Sequence, residues 1–235
     1  MSRAAADRSG GLRWHGRALI RRHALWKPFR EALAAFLARW QPATRSLILV
    51  GPSAGWCLPD TFLSRFDRII AVDPDFWAPL LFRRLHPHAR LVDWIRADFF
   101  VQAPELLARE PDAALLFCNV LGQLRFAGLS DAEITTRLAS LPTLLAGHPW
   151  ASYHELLSGE TDLTPRALPL AGTPFAEALL RQLGLSGEWL DHGAGSVLPP
   201  MAARDIVPWR FAPERLHLVE MGIGGERGRL TARPS

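Results

Sequence analysis

Residues 46–76 read SLILVGPSAGWCLPDTFLSRFDRIIAVDPDF. Two short apolar runs stand out: residues 47–50 end at Gly51, and residues 69–72 end at Asp73. Such runs are typical of parallel strands, because helices cover both faces of these strands and leave no polar side. The distance between the runs leaves room for one helix. The stretch therefore predicts a strand, a glycine-bearing turn, a helix and a second strand that stops at a carboxylate.

The glycine spacing after the first strand argues against two common nucleotide sites. A dinucleotide-binding turn that starts at Gly51 needs glycine at the positions of Ser53 and Trp56. A phosphate-binding loop needs Gly-Lys where Trp56 and Cys57 stand, and the one lysine of the chain is Lys27. NAD and nucleoside triphosphates are therefore disfavoured as ligands.

The spacing of Gly51, Ser53 and Gly55 fits G-x-G-x-G better, and here the sequence resembles the class I S-adenosylmethionine-dependent methyltransferases. Ser53 stands where the family has its middle glycine, and a serine side chain is small enough to cause little obstruction. Leu49 stands where the family usually carries an acidic residue. The resemblance implies a Rossmann-like sheet that binds S-adenosyl-L-methionine as its cofactor at this turn.

The same resemblance implies further cofactor contacts at strand ends. Asp73 falls where the family places a carboxylate on the ribose hydroxyls, with Asp75 as the alternative if the register slips. Asp98 follows the predicted third strand, where the family often has an acidic residue facing the adenine amino group. Asn119 ends the predicted fourth strand, where cofactor and substrate meet. The resembling segments lie within residues 46–124, and the likeness beyond residue 150 is topological only.

Methyl transfer requires an aligned nucleophile, exclusion of water and, for some acceptors, a base. His154, at the end of the predicted fifth strand, is the first candidate for a catalytic base, because the unperturbed pKa of histidine lies near neutral pH. His192, beside Asp191, is the second. Trp56 and Glu155 also lie just past predicted strands, where ligands of such sheets bind. The histidines are otherwise scattered, and the sequence predicts no metal site.

Two other functions stay open. The motif GPSAG also matches the nucleophile elbow of α/β hydrolases, with Ser53 as the nucleophile. No oxyanion-type segment precedes the strand, and Asp73 at the end of the next strand suits a ribose, so this reading is the weaker one. Because Leu49 and Ser53 depart from the methyltransferase pattern, a non-catalytic Rossmann-like binding or interaction module is the other alternative.

The alternation of strand and helix patterns predicts the α/β fold class: a single-domain Rossmann-like sheet, mostly parallel, with about seven strands and helices on both faces. The domain spans residues 1–235. An N-terminal helix is predicted at residues 14–40, because apolar residues recur there every three or four positions. Residues 1–11 and 222–235 are predicted to be disordered ends.

The second half of the chain is predicted to complete the sheet. Residues 150–156 form the fifth strand in this prediction, and residues 188–192 and 216–221 supply further strands. Two stretches rich in proline and glycine, residues 158–173 and 193–208, are predicted loops.

Composition limits the partners of the protein. With 235 residues, of which 49% are hydrophobic, the chain can bury a full core. We expect a small-molecule substrate. RNA is the second choice, because the formal charge is +4 and eight cations stand in the first thirty residues. No apolar run reaches about 18 residues, so we expect no membrane partner. Two cysteines are too few for a disulfide framework, so we expect a cytoplasmic protein. The methyl acceptor and the oligomeric state stay open.

Overall fold

The structure is a computed structural model that describes residues 11–170, 176–195, 197 and 204–224. Within these ranges the chain forms eight α-helices and nine strands. The helices are α1 Gly11–Arg21, α2 Lys27–Arg39, α3 Asp60–Leu63, α4 Ala78–Leu85, α5 Phe99–Arg109, α6 Val120–Gln123, α7 Asp131–Leu144 and α8 Ala176–Gln182. The strands are β1 Ser46–Val50, β2 Arg68–Val72, β3 Leu91–Ile95, β4 Ala114–Cys118, β5 Trp150–Glu160, β6 Leu168–Leu170, β7 Trp189–Asp191, β8 Arg204–Arg210 and β9 Arg215–Ile223.

All nine strands belong to one sheet. Eight of them follow the order β3-β2-β1-β4-β5-β9-β8-β6, and β7 lies off this path. The five strands from β3 to β5 are parallel to one another. Strands β9, β8 and β6 continue the sheet in antiparallel order, and β7 pairs with the second half of β5. The predicted α/β class is confirmed, and the sheet is larger than the seven strands expected.

Helices cover both faces of the sheet, as the apolar strand sequences require. Successive side chains of β1 point to opposite faces, so Leu47 and Leu49 enter one core while Ile48 and Val50 enter the other. The first core contains side chains of α1, α2, α3 and α4, and the second contains side chains of α5, α7 and α8. We therefore expect polar groups that bind a ligand at the ends of the parallel strands, where the backbone leaves the core.

The single helix predicted at residues 14–40 is in fact two helices, α1 and α2. The helical pattern is interrupted at residues 22–26, and α2 restarts with Pro28 in its first turn. Proline lacks an N–H and disfavours helical backbone in the residue before it, so it fits the beginning of a helix better than its interior. No helix among the described residues is long and apolar enough to cross a lipid bilayer.

The predicted loops at residues 158–173 and 193–208 contain strand residues that the sequence pattern did not show. Strand β5 extends to Glu160, and β8 begins at Arg204 and includes Pro208. Proline is tolerated there because β8 pairs with β6 only over its first three residues, so position 208 lies at an open edge. The predicted disordered ends are wrong at Gly11, which begins α1, and at Gly222 and Ile223, which belong to β9, while residues 1–10 and 225–235 lie outside the described ranges.

We expect the packing of α2 on the sheet to be a major source of stability. Leu33 of α2 is fully buried in the first core, so Leu33→Ala should lower the free energy of unfolding by about 2–5 kcal/mol. Leu163→Ala is the control, because Leu163 is 58% exposed and its truncation should change stability by no more than about 0.5 kcal/mol. Urea unfolding of the purified variants measures both. Equal losses for the two variants would contradict this packing.

Candidate functional site

The carboxyl ends of β1 and β4 form the topological switch point of the sheet. From β1 the chain proceeds to β2 and β3 on one side, and then returns to β4 on the other side of β1. The loops that follow β1 and β4 therefore leave in opposite directions, and we call the region between them, where Val120 packs on Gly51, the crevice. Open α/β sheets bind their ligands at this position. Gly51 follows β1 directly and Asn119 follows β4, so both predicted residues lie at the switch point.

The turn after β1 requires glycine at both of its predicted positions. Gly51 and Gly55 have φ of +65° and +70°, in the left-handed region that favours glycine. A Cβ at Gly51 would lie 1.9 Å from Val120 Cγ2, and a Cβ at Gly55 would lie 2.7 Å from His86 Nε2. Ser53 also has positive φ, at +50°, which few residues other than glycine adopt without cost.

Asp73 joins the end of β2 to this turn. The backbone N–H of Ser53 donates to Asp73 Oδ2 at 2.7 Å, and the backbone N–H of Asp75 donates to Oδ1 at 2.8 Å. The carboxylate is only 6% exposed, and this burial raises the pKa of Asp73 despite the two hydrogen bonds. The glycine turn and the predicted ribose-binding carboxylate therefore lie at the same edge of the sheet and touch.

Helix α1 covers the turn through two adjacent side chains. The Trp14 indole Nε1 donates to Ser53 Oγ at 3.0 Å, and the Trp56 indole Nε1 donates to His15 Nδ1 at 2.9 Å. Since an indole can only donate, His15 carries its proton on Nε2, which lies 3.2 Å from Asp75 Oδ2. Sequence reasoning missed this cover because Trp14 and His15 are about 40 residues away from the turn residues that they contact.

His86 fastens the same turn from the side of α4. Its Nε2 lies 3.1 Å from the carbonyl oxygen of Gly55, and its Nδ1 lies 2.5 Å from Asp60 Oδ1. Both ring nitrogens therefore face acceptors, so the imidazole clamps the end of the turn to the beginning of α3. No motif marks His86 in the sequence, and its partners are 26 and 31 residues away.

Asn119 directly follows β4 and is bonded to Glu155 in the middle of β5. Asn119 Nδ2 donates to Glu155 Oε1 at 2.8 Å, and the backbone N–H of Glu155 donates to Asn119 Oδ1 at 2.9 Å. Gln123 Nε2 donates to Glu155 Oε2 at 3.0 Å, while His217 Nδ1 lies 2.8 Å from Oε1 and His192 Nε2 lies 3.5 Å from Oε2. Burial raises the pKa of Glu155, but His217, His192 and Asn119 together outweigh it and lower the pKa to about 2.

The two predicted bases have partners inside the fold. His154 is fully buried, with Nδ1 2.9 Å from Ser152 Oγ and Nε2 3.1 Å from Glu220 Oε2. His192 is also buried, and its Nδ1 lies 2.8 Å from the carbonyl oxygen of Gly122. We call the antiparallel part of the sheet, formed by β9, β8, β6, β7 and the residues of β5 that pair with them, the antiparallel arm. The partners of His154 lie inside this arm and not at the switch point.

Asp98 and Trp56 each form hydrogen bonds with other residues of the chain. Asp98 caps α5 by accepting from the backbone N–H of Phe100 at 2.9 Å, and Arg137 Nη1 donates to its other oxygen at 2.6 Å. Trp56 lies in the glycine turn and anchors His15 of α1, as described above. Asp98 therefore holds a helix end at the exit of β3, and Trp56 belongs to the cover of the turn.

The N-terminal cations that suggested RNA are partly used within the fold. Arg17 lies over the ring of Phe211, with Cζ 5.2 Å from the ring centroid, and Arg21 Nη1 donates to the carbonyl oxygen of Phe211 at 2.9 Å. Arg22 lies over Trp56, with Cζ 5.3 Å from the ring centroid. Arg3 and Arg8 lie outside the described residues. Across the described ranges, no group of three or more histidine, cysteine and carboxylate side chains is arranged to hold a metal ion.

Comparison with known proteins finds likeness in structure and none in sequence. No protein-family model matches the chain, and no curated protein matches it. The fold is similar to that of the N-methyltransferase NodS from Bradyrhizobium japonicum WM9 in complex with S-adenosyl-L-homocysteine, with 13% identity over 85% of this chain and 88% of NodS and a TM-score of 0.45.

Two further solved structures give the same result. One is a methyltransferase described as putative, in complex with the Trm112 activator of Haloferax volcanii, with 12% identity over 91% of this chain and 95% of that chain and a TM-score of 0.46. The other is an S-adenosylmethionine-dependent methyltransferase from Anabaena variabilis ATCC 29413, with 15% identity over 89% and 92% of the two chains and a TM-score of 0.44. We take neither ligand nor substrate from this likeness.

The clamp formed by His86 should contribute to stability. His86→Ala removes the bonds to Gly55 and Asp60, so we expect the free energy of unfolding to fall by about 1–3 kcal/mol. His88→Ala is the matched control two residues away, because His88 is exposed and its loss should cost no more than about 0.5 kcal/mol. Thermal unfolding monitored by circular dichroism measures both. A loss for His88→Ala as large as that for His86→Ala would contradict the clamp.

The attachment of α1 should weaken in acid. Burial raises the pKa of Asp75, but hydrogen bonds from His15 and from the N–H groups of Gly11 and Trp77 outweigh it and lower the pKa to about 2. An unfolded aspartate has a pKa of about 3.9, so Asp75 stabilises the fold above about pH 4 and loses this effect as the pH falls towards 2.

The corresponding experiment compares Asp75→Asn with the unmodified protein between pH 7 and pH 2.5. We expect the variant to be less stable by about 1 kcal/mol at pH 7, and the difference to shrink below pH 4. Asp112→Asn is the control at an exposed position and should change stability at pH 7 by no more than about 0.5 kcal/mol. A difference that stays constant down to pH 2.5 would exclude Asp75 as the source.

Proposed function

We propose that the protein is an S-adenosylmethionine-dependent methyltransferase that acts on a small molecule. One observation carries the proposal: the Asp73 carboxylate at the end of β2 accepts the backbone N–H of Ser53 in the glycine turn after β1. This contact brings a carboxylate and a close backbone approach together at the topological switch point. An adenosine needs both, the carboxylate for its ribose hydroxyls and the turn for the group attached to its 5′ carbon.

The Asp73 carboxylate can accept further hydrogen bonds, as binding of ribose hydroxyls requires. An ionised carboxylate accepts about four hydrogen bonds, and the N–H groups of Ser53 and Asp75 use two of them. Gly51 and Gly55 give the turn its left-handed backbone, and Val120 and His86 pack against them where side chains would otherwise lie. These groups fit the nucleoside half of S-adenosylmethionine. When bound, the cofactor supplies an activated methyl group.

The amino acid half of the cofactor has fewer side-chain partners at this edge of the sheet. Leu49 is fully buried in β1 and offers no carboxylate to an ammonium group. Among the described residues, acceptors at this edge include backbone carbonyl groups of the turn and of the β4 exit, together with Asp75. We propose that the backbone at Gly51 and Asn119 holds the amino acid end, and that Asp98 contributes to the adenine side.

The protein's own part in methyl transfer is alignment and exclusion of water. Trp14 and His15 cover the turn from α1, so a ligand in the crevice is shielded on that side. His154 is bonded to Ser152 and Glu220 in the interior, so we leave it out of the proposed mechanism. An acceptor that is already nucleophilic at neutral pH, such as a neutral amine, needs no base from the protein.

The N-terminal arginines favour a small-molecule acceptor over RNA. Arg17, Arg21 and Arg22 pack on aromatic rings or bond the backbone of Phe211, which leaves fewer cations for a row of phosphates. We further propose that the chain acts as a single domain, since α1 and α2 pack on the same sheet that forms the switch point.

A binding module without catalysis is the second candidate, and one observation favours it. The chain's own α1 covers the crevice, and the Trp14 indole already donates a hydrogen bond to the hydroxyl of Ser53. The hydrolase alternative is weaker, because the described residues place no histidine in hydrogen-bonding contact with Ser53 Oγ. An ester panel with Ser53→Ala as control tests it directly, since retained activity in the variant excludes Ser53 as the nucleophile.

Calorimetric titration with S-adenosyl-L-homocysteine tests the proposal. We expect a dissociation constant in the micromolar range, and for Asp73→Ala a loss of affinity of at least about tenfold, because hydrogen bonds to a charged group contribute about 1.5–3 kcal/mol. Asp67→Ala is the matched control: Asp67 directly precedes β2 at the opposite edge of the sheet and pairs there with Arg45 and Arg90. It should bind as the unmodified protein does.

The outcomes separate the candidates. Absence of binding in the unmodified protein, or equal weakening by Asp67→Ala, would contradict the site. If binding is found, incubation with methyl-labelled S-adenosylmethionine and a panel of small amines and phenols distinguishes an enzyme, which transfers the label, from a module, which does not. Mass spectrometry of the ligand that co-purifies with the protein gives an independent identification.

A further inference from the structure

We propose that Glu155 is a positioning residue of the cofactor site, which holds Asn119 in its left-handed conformation and thereby fixes the backbone at the exit of β4. This inference rests on the proposed function for its effect on binding. The structural part of it, a coupling between residues 119 and 155, stands independently and can be measured without a ligand.

Asn119 has an unusual backbone that needs support. Its φ and ψ are +63° and 2°, in the left-handed region, where asparagine is tolerated better than most residues but still less well than glycine. Both ends of its amide are bonded to Glu155, through Nδ2 to the carboxylate at 2.8 Å and through Oδ1 to the backbone N–H at 2.9 Å. The side chain is thus turned towards β5, and what Asn119 offers to the switch point is its backbone.

The conformation of Asn119 determines where the next residue lies. Val120 begins α6 directly after Asn119, and its Cγ2 lies 1.9 Å from the position that a Cβ of Gly51 would take. The exit of β4 therefore packs directly on the first glycine of the turn after β1. A change in the backbone at residue 119 would shift Val120 and, with it, the wall of the crevice next to Gly51.

Glu155 is itself held rigidly by its surroundings. It is buried, and it lies at a register shift of β5, between Glu155 and Leu157, where a bulge re-aims the side chain. Gln123 of α6 donates to the carboxylate, and His217 of β9 contacts its other oxygen. Gly122 lets α6 lie against this strand, because a Cβ there would be 2.6 Å from the carbonyl oxygen of Glu155.

A second buried glutamate provides a matched control. Glu220 of β9 is fully buried as well, and it is bonded to Arg204 Nη1 at 2.9 Å and lies 3.1 Å from His154 Nε2. It resembles Glu155 in burial and in its histidine contact, but its described partners are in the antiparallel arm and not at the exit of β4. Any effect of losing a buried carboxylate as such should therefore appear in both glutamates.

The experiment is a double-mutant cycle on residues 119 and 155, read by S-adenosyl-L-homocysteine affinity in calorimetry and by urea unfolding. Glu155→Gln should weaken binding by about tenfold or more, whereas Glu220→Gln should lose a similar amount of stability with its affinity unchanged. Asn119→Gly, which adopts positive φ without support, should weaken binding less than Asn119→Ala. In the Asn119→Gly background, Glu155→Gln should have little further effect on affinity.

Three results would overturn the inference: unchanged affinity of Glu155→Gln, equal weakening by Glu220→Gln, or additive effects of the Asn119→Gly and Glu155→Gln changes. If the unmodified protein binds no S-adenosyl-L-homocysteine, the proposed function fails, and the unfolding data alone decide the coupling. Non-additive unfolding free energies for Asn119→Gly and Glu155→Gln then support it, and additive ones refute it.

Discussion

Burial of both faces of the three central parallel strands, β1, β2 and β4, is the constraint from which the rest of the molecule follows. Because helices lie on both faces of the sheet, these three strands consist almost entirely of apolar residues. Polar groups that recognise a ligand can then appear only where a strand ends. Gly51, Asp73 and Asn119 are the first residues beyond β1, β2 and β4, and the strand order brings these three ends together.

The antiparallel arm follows a different rule, since charged side chains are buried inside it. Glu155 and Glu220 each lie within a cluster that contains histidine, and Glu220 also pairs with Arg204. Such clusters contribute little net stability compared with apolar packing, but removing one partner leaves an uncompensated buried charge. The contacts of His217 with Glu155 and of His154 with Glu220 each join β5 to β9. In the case of Glu155, the cluster also reaches the edge of the sheet where the ligand is proposed to bind.

The sequence was informative wherever a local pattern determines structure. The apolar runs before Gly51 and Asp73 predicted the two strand ends, and their proximity followed from the fold class. Pro28 could have revealed the break between α1 and α2, since its position near the start of a helix is a local signal. Strand β8 was missed because Pro208 argues against a strand, and only its place at an open edge makes it acceptable.

Contacts between distant residues could not be predicted in this way. The bonds of Trp14 to Ser53, of His86 to Gly55 and of His217 to Glu155 each join segments that no periodicity relates. His154 was selected for its position at the end of the predicted fifth strand, but β5 extends well beyond it and places it in the interior of the sheet.

The close approach of His86 to Gly55 also has a consequence for how this chain can change over evolutionary time. A side chain at position 55 would collide with the imidazole of His86 and with the ring of Phe82, so a descendant that replaces this glycine is expected to change residue 86 as well. Two positions 31 residues apart are thereby expected to vary together across descendants of this gene, although neither shows any sign of the other in the present sequence.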